Sequence, residues 1–495
     1  MNRRILTTVV LALANALLTT LAPSLSLAQG LPSLGDVARQ ELSPVMERKL
    51  GEQIMRDIRR DRDYLNDAPV LEYLNRFGDI LLSAQPDMRG DAGYDFRFFA
   101  VRDSALNAFA LPGGFIAVHS ALVLAAQSES ELASVMAHEI GHVAQRHIAR
   151  MVGQQHQDAL IPLAATILAA IAARSSPDAA GALLIGGQGM SAQRQLNFSR
   201  DAEREADRVG VQMLRDAGFD TTGMIAFFGR LQTASRNYTD AVPAFLRSHP
   251  LTSERIADMQ ARTRDWQPPS RTDSIDFQLV RARLRVLQDE TPQGLRNAKL
   301  AFEQQLQQKK SPITAAAQYG LSLIALKQRE FVQAQSLLNQ AAAEGPSAIL
   351  ASHAIDIKLA AMHIIEAVNA AEVARAQFPQ SRGIARQYAD ALIAAARYED
   401  AVQYLRDQAQ LHRQEPELQD QLARAYAKLG KQALQHMALA ELYAASGIYS
   451  SALDQFRIAR KAPDASFYDL AIIDAREREL QVMLKEEMQE SQIAR

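Results

Sequence analysis

The sequence predicts a mainly α-helical protein that contains one small β-sheet and ends in an array of helical repeats. Apolar residues with helical spacing dominate the chain, as in SPVMERKLGEQIMRDIRRD at 43–61. Alternating aromatic and β-branched residues, typical of strands, are confined to residues 94–123. A short motif that ends in alanine recurs beyond residue 330. Because the chain has 495 residues, two or three domains can each bury a core.

The composition narrows the classes of protein to which the chain can belong. Hydrophobic residues make up 48% of the chain, and the formal net charge is −2. A nucleic-acid binder should carry a basic excess, so we expect no nucleic-acid partner. The sequence contains no cysteine, which excludes disulfides, thiol nucleophiles and cysteine-bound metals. Any metal ion must therefore sit on histidine, aspartate or glutamate.

Residues 1–28 have the composition of a secretory signal peptide. Arg3 and Arg4 precede an apolar run, and the small residues Ser26 and Ala28 form a cleavage site. An uncleaved membrane anchor is the alternative, since the run is just long enough to span a bilayer. A proline interrupts the run and the cleavage site follows it. We therefore expect cleavage after Ala28 and export of the mature protein to a bacterial periplasm.

Two domains are expected after the signal peptide. Residues 29–267 contain the strand region and the helices around it, whereas residues 275–495 are almost entirely helical and rich in alanine. The segment WQPPSRTDS at 266–274 has the proline and serine content of a linker. Within the first domain, LPGG at 111–114 predicts a turn between two short strands.

The C-terminal half repeats with a regular period. The motifs REFVQA, MHIIEA, ARYEDA and KLGKQA end at Ala334, Ala367, Ala401 and Ala433, so the intervals are 33, 34 and 32 residues. A helix pair of this length with small residues at the crossings is the tetratricopeptide signature. Such repeats stack into a curved surface that holds protein partners. A generic helical bundle is the alternative.

The segment SVMAHEIGHVAQRH at 134–147 carries candidate catalytic residues. A helix is expected to begin near Ser128. On it, His138 and His142 lie four residues apart on one face, the separation with which two imidazoles chelate one metal ion. A zinc ion there would lower the pKa of a water molecule to about 7, and Glu139 could act as the general base that takes the proton. The alternative is a surface helix with two solvated histidines.

A third ligand must come from elsewhere in the chain. His147 is five residues past His142, which turns it off the chelating face, so we expect a polar position further along the helix. His156 follows Gly153 and lies beyond the expected end of the helix. The segment DAEREAD at 201–207 offers acidic candidates instead.

The two glutamates of this segment differ in the face that they occupy. Glu203 is four residues before Asp207, and the small residues Ala206 and Gly210 would let this helix approach another closely. Asp207 could then accept a hydrogen bond from the outer nitrogen of a ligating histidine. Glu205 lies on the opposite side, so we expect it on a solvated face and choose Glu203 as the third ligand. The exposed charge partners expected for Glu205 are Asp201, Arg204 and Arg208.

This ligand set indicates a catalytic metal site. Two histidines and one glutamate leave a fourth coordination position open, which is the catalytic rather than the structural arrangement of zinc. Gly141 lies inside the expected helix, where glycine costs about 1 kcal/mol relative to alanine. Close packing of another element against Gly141 would explain its presence.

These motifs together resemble those of the M48 metallopeptidases. The resemblance rests on HEIGH at 138–142, on the downstream EREAD at 203–207 and on SHP at 248–250. The export signal and the repeat array strengthen it. The resemblance implies a zincin-like α+β metalloprotease domain, followed by the tetratricopeptide repeats, with one Zn²⁺ per chain. The zinc ligands and the general base that it implies are His138, His142, Glu203 and Glu139.

The resemblance also implies roles for residues that the spacing alone leaves open. His249, which by itself is a loop histidine before a proline, would occupy the fourth zinc position in a resting state and move away for catalysis. Arg255 would lie near the site and stabilise the oxyanion. Residues 159–190 would act as a lid, although a peripheral membrane contact and a buried helical hairpin stay open as alternatives.

Outer-membrane β-barrel proteins are the substrates that the resemblance implies. Unfolded or stalled forms would be helped to assemble or degraded, and the repeats would contact the barrel-assembly machinery. A protease that recognises extended backbone can add its substrate as a strand to a sheet edge. The strand at Phe115–Val118 is one candidate edge, and a purely structural sheet is the alternative. The other candidate edge consists of Asn107, Ala108, Phe109 and Ala110.

A non-proteolytic scaffold is the competing function. In it the repeats would do the work and the metal site would be vestigial. A vestigial site should have lost a member, whereas the chain retains the complete set. That set consists of His138, Glu139, His142, Glu203 and Asp207.

Overall fold

The structure is a computed structural model that describes residues 43–90, 93–153, 199–237, 244–266, 271–308, 311–413 and 415–493. The predicted signal peptide at 1–28 and the segment at 159–190 lie outside the described residues. Across the described ranges, no helix combines the length and the hydrophobicity that a membrane crossing needs.

Two helices precede the sheet, and each begins where a proline and a capping side chain coincide. Helix α1 spans Pro44–Arg60 and α2 spans Ala68–Ala84. The Ser43 hydroxyl and the Asp67 carboxylate each accept a hydrogen bond from an amide in the first turn. Proline is tolerated there because the first amides of a helix lack intrahelical partners.

The small sheet has three strands, and the last strand in sequence lies in the middle of the sheet. Strands β1 (Arg97–Val101), β2 (Ala108–Leu111) and β3 (Phe115–His119) are ordered β1-β3-β2. Strand β3 runs parallel to β1 and antiparallel to β2, so β2 forms an edge of the described sheet. The predicted LPGG turn is confirmed as Pro112–Gly114, with Gly113 at φ 78°. A Cβ on Gly113 would lie 2.8 Å from the backbone of α1, so glycine is required there.

The described helices that follow the sheet in the first domain are α3 (Ser120–Ala125), α4 (Glu129–Ala144), α5 (His147–Gly153), α6 (Arg200–Asp216), α7 (Thr222–Asn237), α8 (Ala244–Ser248) and α9 (Ser253–Thr263). Helix α4 runs through the centre of this domain. The Ser128 hydroxyl caps it by accepting a hydrogen bond from the amide of Glu131 at 3.3 Å, as the sequence predicts. Most of α4 is buried because it packs against α6, α7, the sheet and α2.

A sharp break separates α4 from α5. Arg146 adopts the left-handed conformation, with φ 53°, which a non-glycine residue reaches at a cost of about 1–2 kcal/mol. Its buried guanidinium forms an ion pair with Glu47 of α1, and the Tyr94 hydroxyl donates to the same carboxylate at 2.7 Å. These contacts hold the turn and redirect the chain at His147.

Helix pairs form the second half of the chain, and the mainly α fold class with a small sheet is confirmed. They are α10 (Ile275–Gln288), α11 (Pro292–Leu306), α12 (Ser311–Lys327), α13 (Phe331–Ala341), α14 (Ala348–Ala360), α15 (Ile364–Gln377), α16 (Arg382–Ala394), α17 (Tyr398–Leu411), α18 (Pro416–Lys428), α19 (Gln432–Ala445), α20 (Tyr449–Arg460) and α21 (Phe467–Ile493).

The predicted period is visible in the backbone. A residue with positive φ ends the first helix of consecutive pairs at Arg329, Met362, Ala396 and Gly430, at intervals of 33, 34 and 34 residues. The alanines that defined the motif lie at the helix crossings and are buried. They are Ala334, Ala367, Ala401 and Ala433, none more than 1% exposed.

The two halves of the molecule share one apolar core. Phe277 and Leu279 of α10 belong to the same cluster as Leu74 and Phe77 of α2. The predicted domain boundary at 267–275 therefore does not separate two described cores. The division of the sequence at this point stays a prediction.

Candidate metal centre

Four buried side chains from three parts of the chain converge at one point. His138 and His142 come from α4, Glu203 from α6, and His249 from the residue that follows α8. One ligand atom from each lies within 4.8 Å of the ligand atoms of the others. The structure therefore brings together every residue that the sequence analysis named as a zinc ligand. That these residues bind the ion stays a prediction.

The interatomic distances show which atoms face the centre. The Nε2 atoms of His138 and His142 are 3.0 Å apart. Glu203 lies 3.4 Å from His142 Nε2 through Oε1 and 3.5 Å from His138 Nε2 through Oε2. His249 Nδ1 is 3.0 Å from Glu203 Oε1 and 3.3 Å from His138 Nε2. Three imidazoles and one carboxylate aimed at a common point are a donor set that suits zinc.

Small residues let α4 and α6 approach closely enough to build this site. A Cβ on Gly141 would lie 3.1 Å from the carbonyl oxygen of Ala206, and one on Gly210 would lie 3.2 Å from the amide nitrogen of His138. The close packing predicted around Gly141 is confirmed. Because the backbones are this near, the short side chain of Glu203 reaches the two histidines.

Burial and hydrogen bonding set the charges of the cluster. Burial acts to lower the pKa of His138, but hydrogen bonds to Asp207 and Glu203 outweigh it and raise that pKa to about 9. Burial lowers the pKa of His142 to about 3. Burial acts to raise the pKa of Glu203, whereas the charge of His249 and hydrogen bonds from the three histidines hold it well below its usual value. The cluster thus offers an anionic carboxylate to a cation.

Glu139 lies beside this cluster without belonging to it. The carboxyl is completely buried, and burial raises its pKa. Neither oxygen meets the geometry of a hydrogen bond with any described residue. His249 Nε2 is 3.4 Å from Glu139 Oε1. An unsatisfied buried carboxylate next to a metal-ligand set is typical of a reactive group rather than of a structural one.

Asp207 and Arg255 support the ligands from behind. The Asp207 Oδ1 atom is 3.0 Å from His138 Nδ1. Arg255 donates from Nε to Asp207 Oδ2 at 2.6 Å and from Nη2 to Oδ1 at 2.8 Å, and its Nη1 lies 2.8 Å from Glu203 Oε2. Two carboxylates thus engage the guanidinium in this structure, and the oxyanion role of Arg255 stays a prediction. The sequence could not show that α9 returns against α6.

The structure also corrects the expectations for His147 and Glu205. His147 is buried, and its Nδ1 lies 2.8 Å from His142 Nδ1 because the break at Arg146 turns it back toward the site. Glu205 is not simply solvated, since its Oε2 lies 3.1 Å from His147 Nε2 and accepts from Arg150 Nη2 at 2.7 Å. The sequence pattern predicts an uninterrupted helix through His147, and no residue pattern signals the left-handed turn.

The predicted substrate strand lies next to the site. Strand β2 packs against α4, and within it Ala108 is buried whereas Phe109 and Ala110 are partly exposed. Asn107, just before β2, is buried. The alternative edge at Phe115–Val118 is wrong, because β3 lies between β1 and β2.

His249 is tied to the same strand region. Its backbone amide donates to the Phe245 carbonyl at 2.8 Å, and the Phe245 amide donates to the Leu106 carbonyl at 3.0 Å. The rings of Phe245 and His249 stack with centroids 4.7 Å apart. The position of His249 therefore depends on the backbone that leads into β2.

Comparison with known proteins places this geometry in a family. The model of Peptidase family M48 matches residues 80–263, which include α4, α6 and His249. The Escherichia coli O157:H7 protein named beta-barrel assembly-enhancing protease is 31% identical over 456 residues, 91% of each chain. A Vibrio cholerae relative is 37% identical over 319 residues, 64% of each chain.

Two further likenesses are more distant in sequence. The Schizosaccharomyces pombe protein named mitochondrial metalloendopeptidase OMA1 is 29% identical over 189 residues, 38% of this chain and 50% of that protein. A crystal structure of a tetratricopeptide-repeat domain aligns with 69% of this chain and 98% of its own at 14% identity. Its TM-score is 0.18, which is too low to support any argument.

Proposed function

Because the chain belongs to peptidase family M48 and is a metalloendopeptidase, we propose that it is a zinc-dependent endopeptidase of the bacterial periplasm that acts on outer-membrane β-barrel proteins. The observation that carries the catalytic part is the convergence of His138, His142 and Glu203 beside Glu139. The predicted signal peptide supports the location, and the printed name of the Escherichia coli relative supports the substrate class.

The residues present fit a zinc ion. His138, His142 and Glu203 would hold it, with Asp207 and Arg255 fixing two of these ligands from behind. A zinc ion bound there supplies Lewis acidity, which makes water a better nucleophile and polarises a peptide carbonyl. The absence of cysteine and the two-histidine, one-carboxylate set agree with a catalytic zinc site.

Glu139 carries out the proton transfers in this proposal. Its carboxylate takes a proton from the attacking water as the new C–O bond forms, then delivers that proton to the leaving nitrogen as the C–N bond breaks. Burial raises the pKa of Glu139, which makes the carboxylate a better proton acceptor, as this role requires. The buried setting also excludes bulk water from the reacting atoms.

His249 acts as a reversible plug. Its Nδ1 lies among the ligand atoms and its Nε2 faces Glu139, so a substrate carbonyl cannot reach both until the ring leaves. A substrate strand that pairs with β2 would compete for the Leu106 carbonyl that holds Phe245. Loss of that hydrogen bond would release the turn that carries His249. Substrate binding at Asn107–Ala110 and opening of the site are thereby coupled.

The repeats supply the chaperone-like part of the function. Their stacked helix pairs form an extended surface of the kind that holds protein partners, and we assign to it the contact with the barrel-assembly machinery. Barrel precursors that fail to assemble would then be degraded at the metal centre. The complete buried cluster favours this enzyme over a scaffold with a vestigial site.

Cleavage of an unfolded outer-membrane β-barrel protein by the zinc-loaded chain tests this function. We expect Glu139→Gln to lower the rate by about 10²- to 10⁴-fold while zinc stays bound, since the carboxylate is not a ligand. His249→Ala should raise the rate above that of the wild type. Asp201→Asn, at an exposed position on α6, is the matched control and should change neither. Full activity in Glu139→Gln would refute the general-base role.

A further inference from the structure

One buried polar cluster touches the metal centre and has no part in the chemistry described above. It consists of His147 and Arg150 on α5 and Glu205 on α6, and it adjoins His142 on the side away from the centre. We propose that His147 and Glu205 are positioning residues that fix the ring and the tautomer with which His142 binds zinc. This inference rests on the proposed role of His142 as a ligand.

When His142 is a ligand, the contacts between His142, His147 and Glu205 fit one arrangement of protons. His142 Nε2 faces the other ligand atoms, so it must present its lone pair to the ion. A neutral imidazole then carries its proton on Nδ1. His142 Nδ1 lies 2.8 Å from His147 Nδ1. Because the proton is on His142 Nδ1, His147 Nδ1 must accept the hydrogen bond.

The tautomer of His147 is fixed in turn by Glu205. Because His147 Nδ1 accepts, its own proton resides on Nε2, which points at Glu205 Oε2 at 3.1 Å. An ionised carboxylate is acceptor-only, so it selects this tautomer of His147. Arg150 donates to the same oxygen at 2.7 Å and orients the carboxylate. Glu205 therefore acts on a zinc ligand through an intervening imidazole.

Burial and backbone geometry show that this chain of contacts is built rather than incidental. His147 is 3% exposed, and the left-handed Arg146 that directs it inward is held by a buried ion pair to Glu47. The arrangement also matches the other side of the site. Asp207 contacts His138 Nδ1 directly, whereas His142 Nδ1 reaches a carboxylate through His147.

Zinc affinity measured by competition with a chelator tests the proposal without relying on catalysis. We expect His147→Leu, which fills the space but cannot accept, to weaken zinc binding by about 10- to 100-fold. His147→Asn places a carbonyl oxygen near the former Nδ1 and should stay within about threefold of the wild type. Near-normal zinc affinity in His147→Asn together with weakened affinity in His147→Leu would show that the hydrogen bond, and not the packing of the side chain, positions His142.

Glu205 provides a second pair of variants, and its side chain is partly exposed, at 20%. Glu205→Ala should weaken zinc binding by about 10-fold, whereas Glu205→Gln keeps an acceptor and should come close to the wild type. In the zinc-loaded protein, the slowly exchanging imidazole proton of His142 should be seen by NMR in the wild type and in His147→Asn, and be lost in His147→Leu.

Further measurements distinguish this proposal from the assignment of the ligands. If Glu203→Gln and His142→Ala lose zinc while folded His147→Leu and Glu205→Ala bind it like the wild type, the positioning role is refuted and the metal site stands. If Glu203→Gln also keeps full affinity, the ligand assignment fails, and the positioning role fails with it. If His147→Leu does not fold, the Glu205 pair decides alone.

Discussion

Within the metal centre, two histidines one helical turn apart differ in charge when no metal is bound. Hydrogen bonds to Asp207 and Glu203 hold the pKa of His138 at about 9, whereas burial lowers that of His142 to about 3. The raised pKa stabilises the metal-free fold fully below the unfolded value of 6.5, and this contribution is lost as the pH rises through about 9. In the proposed zinc site, a proton on His138 and the metal ion would compete for the same nitrogen.

Zinc binding should therefore release about one proton at about pH 7.5, because His138 must give up its proton to become a ligand. The release should stay near one from about pH 5 to 8 and fall toward zero above about pH 10. Calorimetric titration of the metal-free protein in buffers with different ionisation enthalpies measures this number. Zinc binding without proton release at neutral pH would contradict a charged His138.

The residues of this site show which positions a sequence pattern can predict and which it cannot. The helical periodicity of DAEREAD separates Glu203 from Glu205 because only one of them shares a face with Asp207, and the structure places them accordingly. His147 could not be found in this way. Its place depends on one backbone dihedral, at Arg146, and that dihedral is stabilised by Glu47, which lies 99 residues away in sequence.

At the scale of the elements, the metal centre depends on the distance between α4 and α6. Gly141 and Gly210 remove the Cβ atoms that would hold the two helices apart. The sequence could indicate the caps, the turn at LPGG and the repeat period, because each is encoded locally. The predicted ligand set already brings α6 toward α4, but only the tertiary packing shows that Ala206 lies directly against Gly141.

Gly141→Ala should lower the free energy of unfolding by about 1–2 kcal/mol, even though alanine is the better helix former. The added Cβ would meet backbone atoms of Ala206 at 3.1 and 3.2 Å, and backbone cannot move aside cheaply. Zinc affinity should fall as well, because Glu203 shifts with α6. Chemical denaturation and metal competition measure the two effects.

Gly229→Ala is the matched control for this prediction. Gly229 also lies inside a helix, α7, but an added Cβ there would meet no atom within 4 Å. We expect it to raise the free energy of unfolding by about 0.5–1 kcal/mol through helix propensity. Equal effects of the two substitutions would show that the approach of α6 does not constrain Gly141.

At the scale of the whole molecule, the repeat array is bound to the protease domain along much of its length. Arg60 of α1 donates to the carbonyls of Ser446 and Gly447, and the amide of Gly383 donates to Glu72 of α2. These partners are hundreds of residues apart in sequence, and no periodicity or motif pairs them. The existence of both halves was therefore predictable, whereas their mutual packing was not.

The pair between Asp67 and Arg283 is a largely buried link between the halves. Arg283 of α10 donates from Nε and Nη2 to the two oxygens of Asp67, at 2.7 and 2.8 Å, and from Nη1 to the Tyr319 hydroxyl at 3.0 Å. Both charged side chains are largely buried, at 14% and 13% exposure. Asp67 also caps α2, so one carboxylate serves both halves.

Asp67→Ala should lower the free energy of unfolding by about 3–5 kcal/mol, because it leaves a buried guanidinium without its carboxylate. Asp67→Asn keeps an acceptor for the cap and for one guanidinium N–H of Arg283, so it should lose less than Asp67→Ala, by at least the value of a cap, about 1 kcal/mol. Asp400→Asn removes the exposed pair with Arg397 and should stay within about 0.5 kcal/mol of the wild type. Urea denaturation followed by circular dichroism gives all three values.

Because α10 shares its core with α2, we also expect Asp67→Ala to unfold both halves in one transition. Two separate transitions in the same denaturation curve would contradict the shared core.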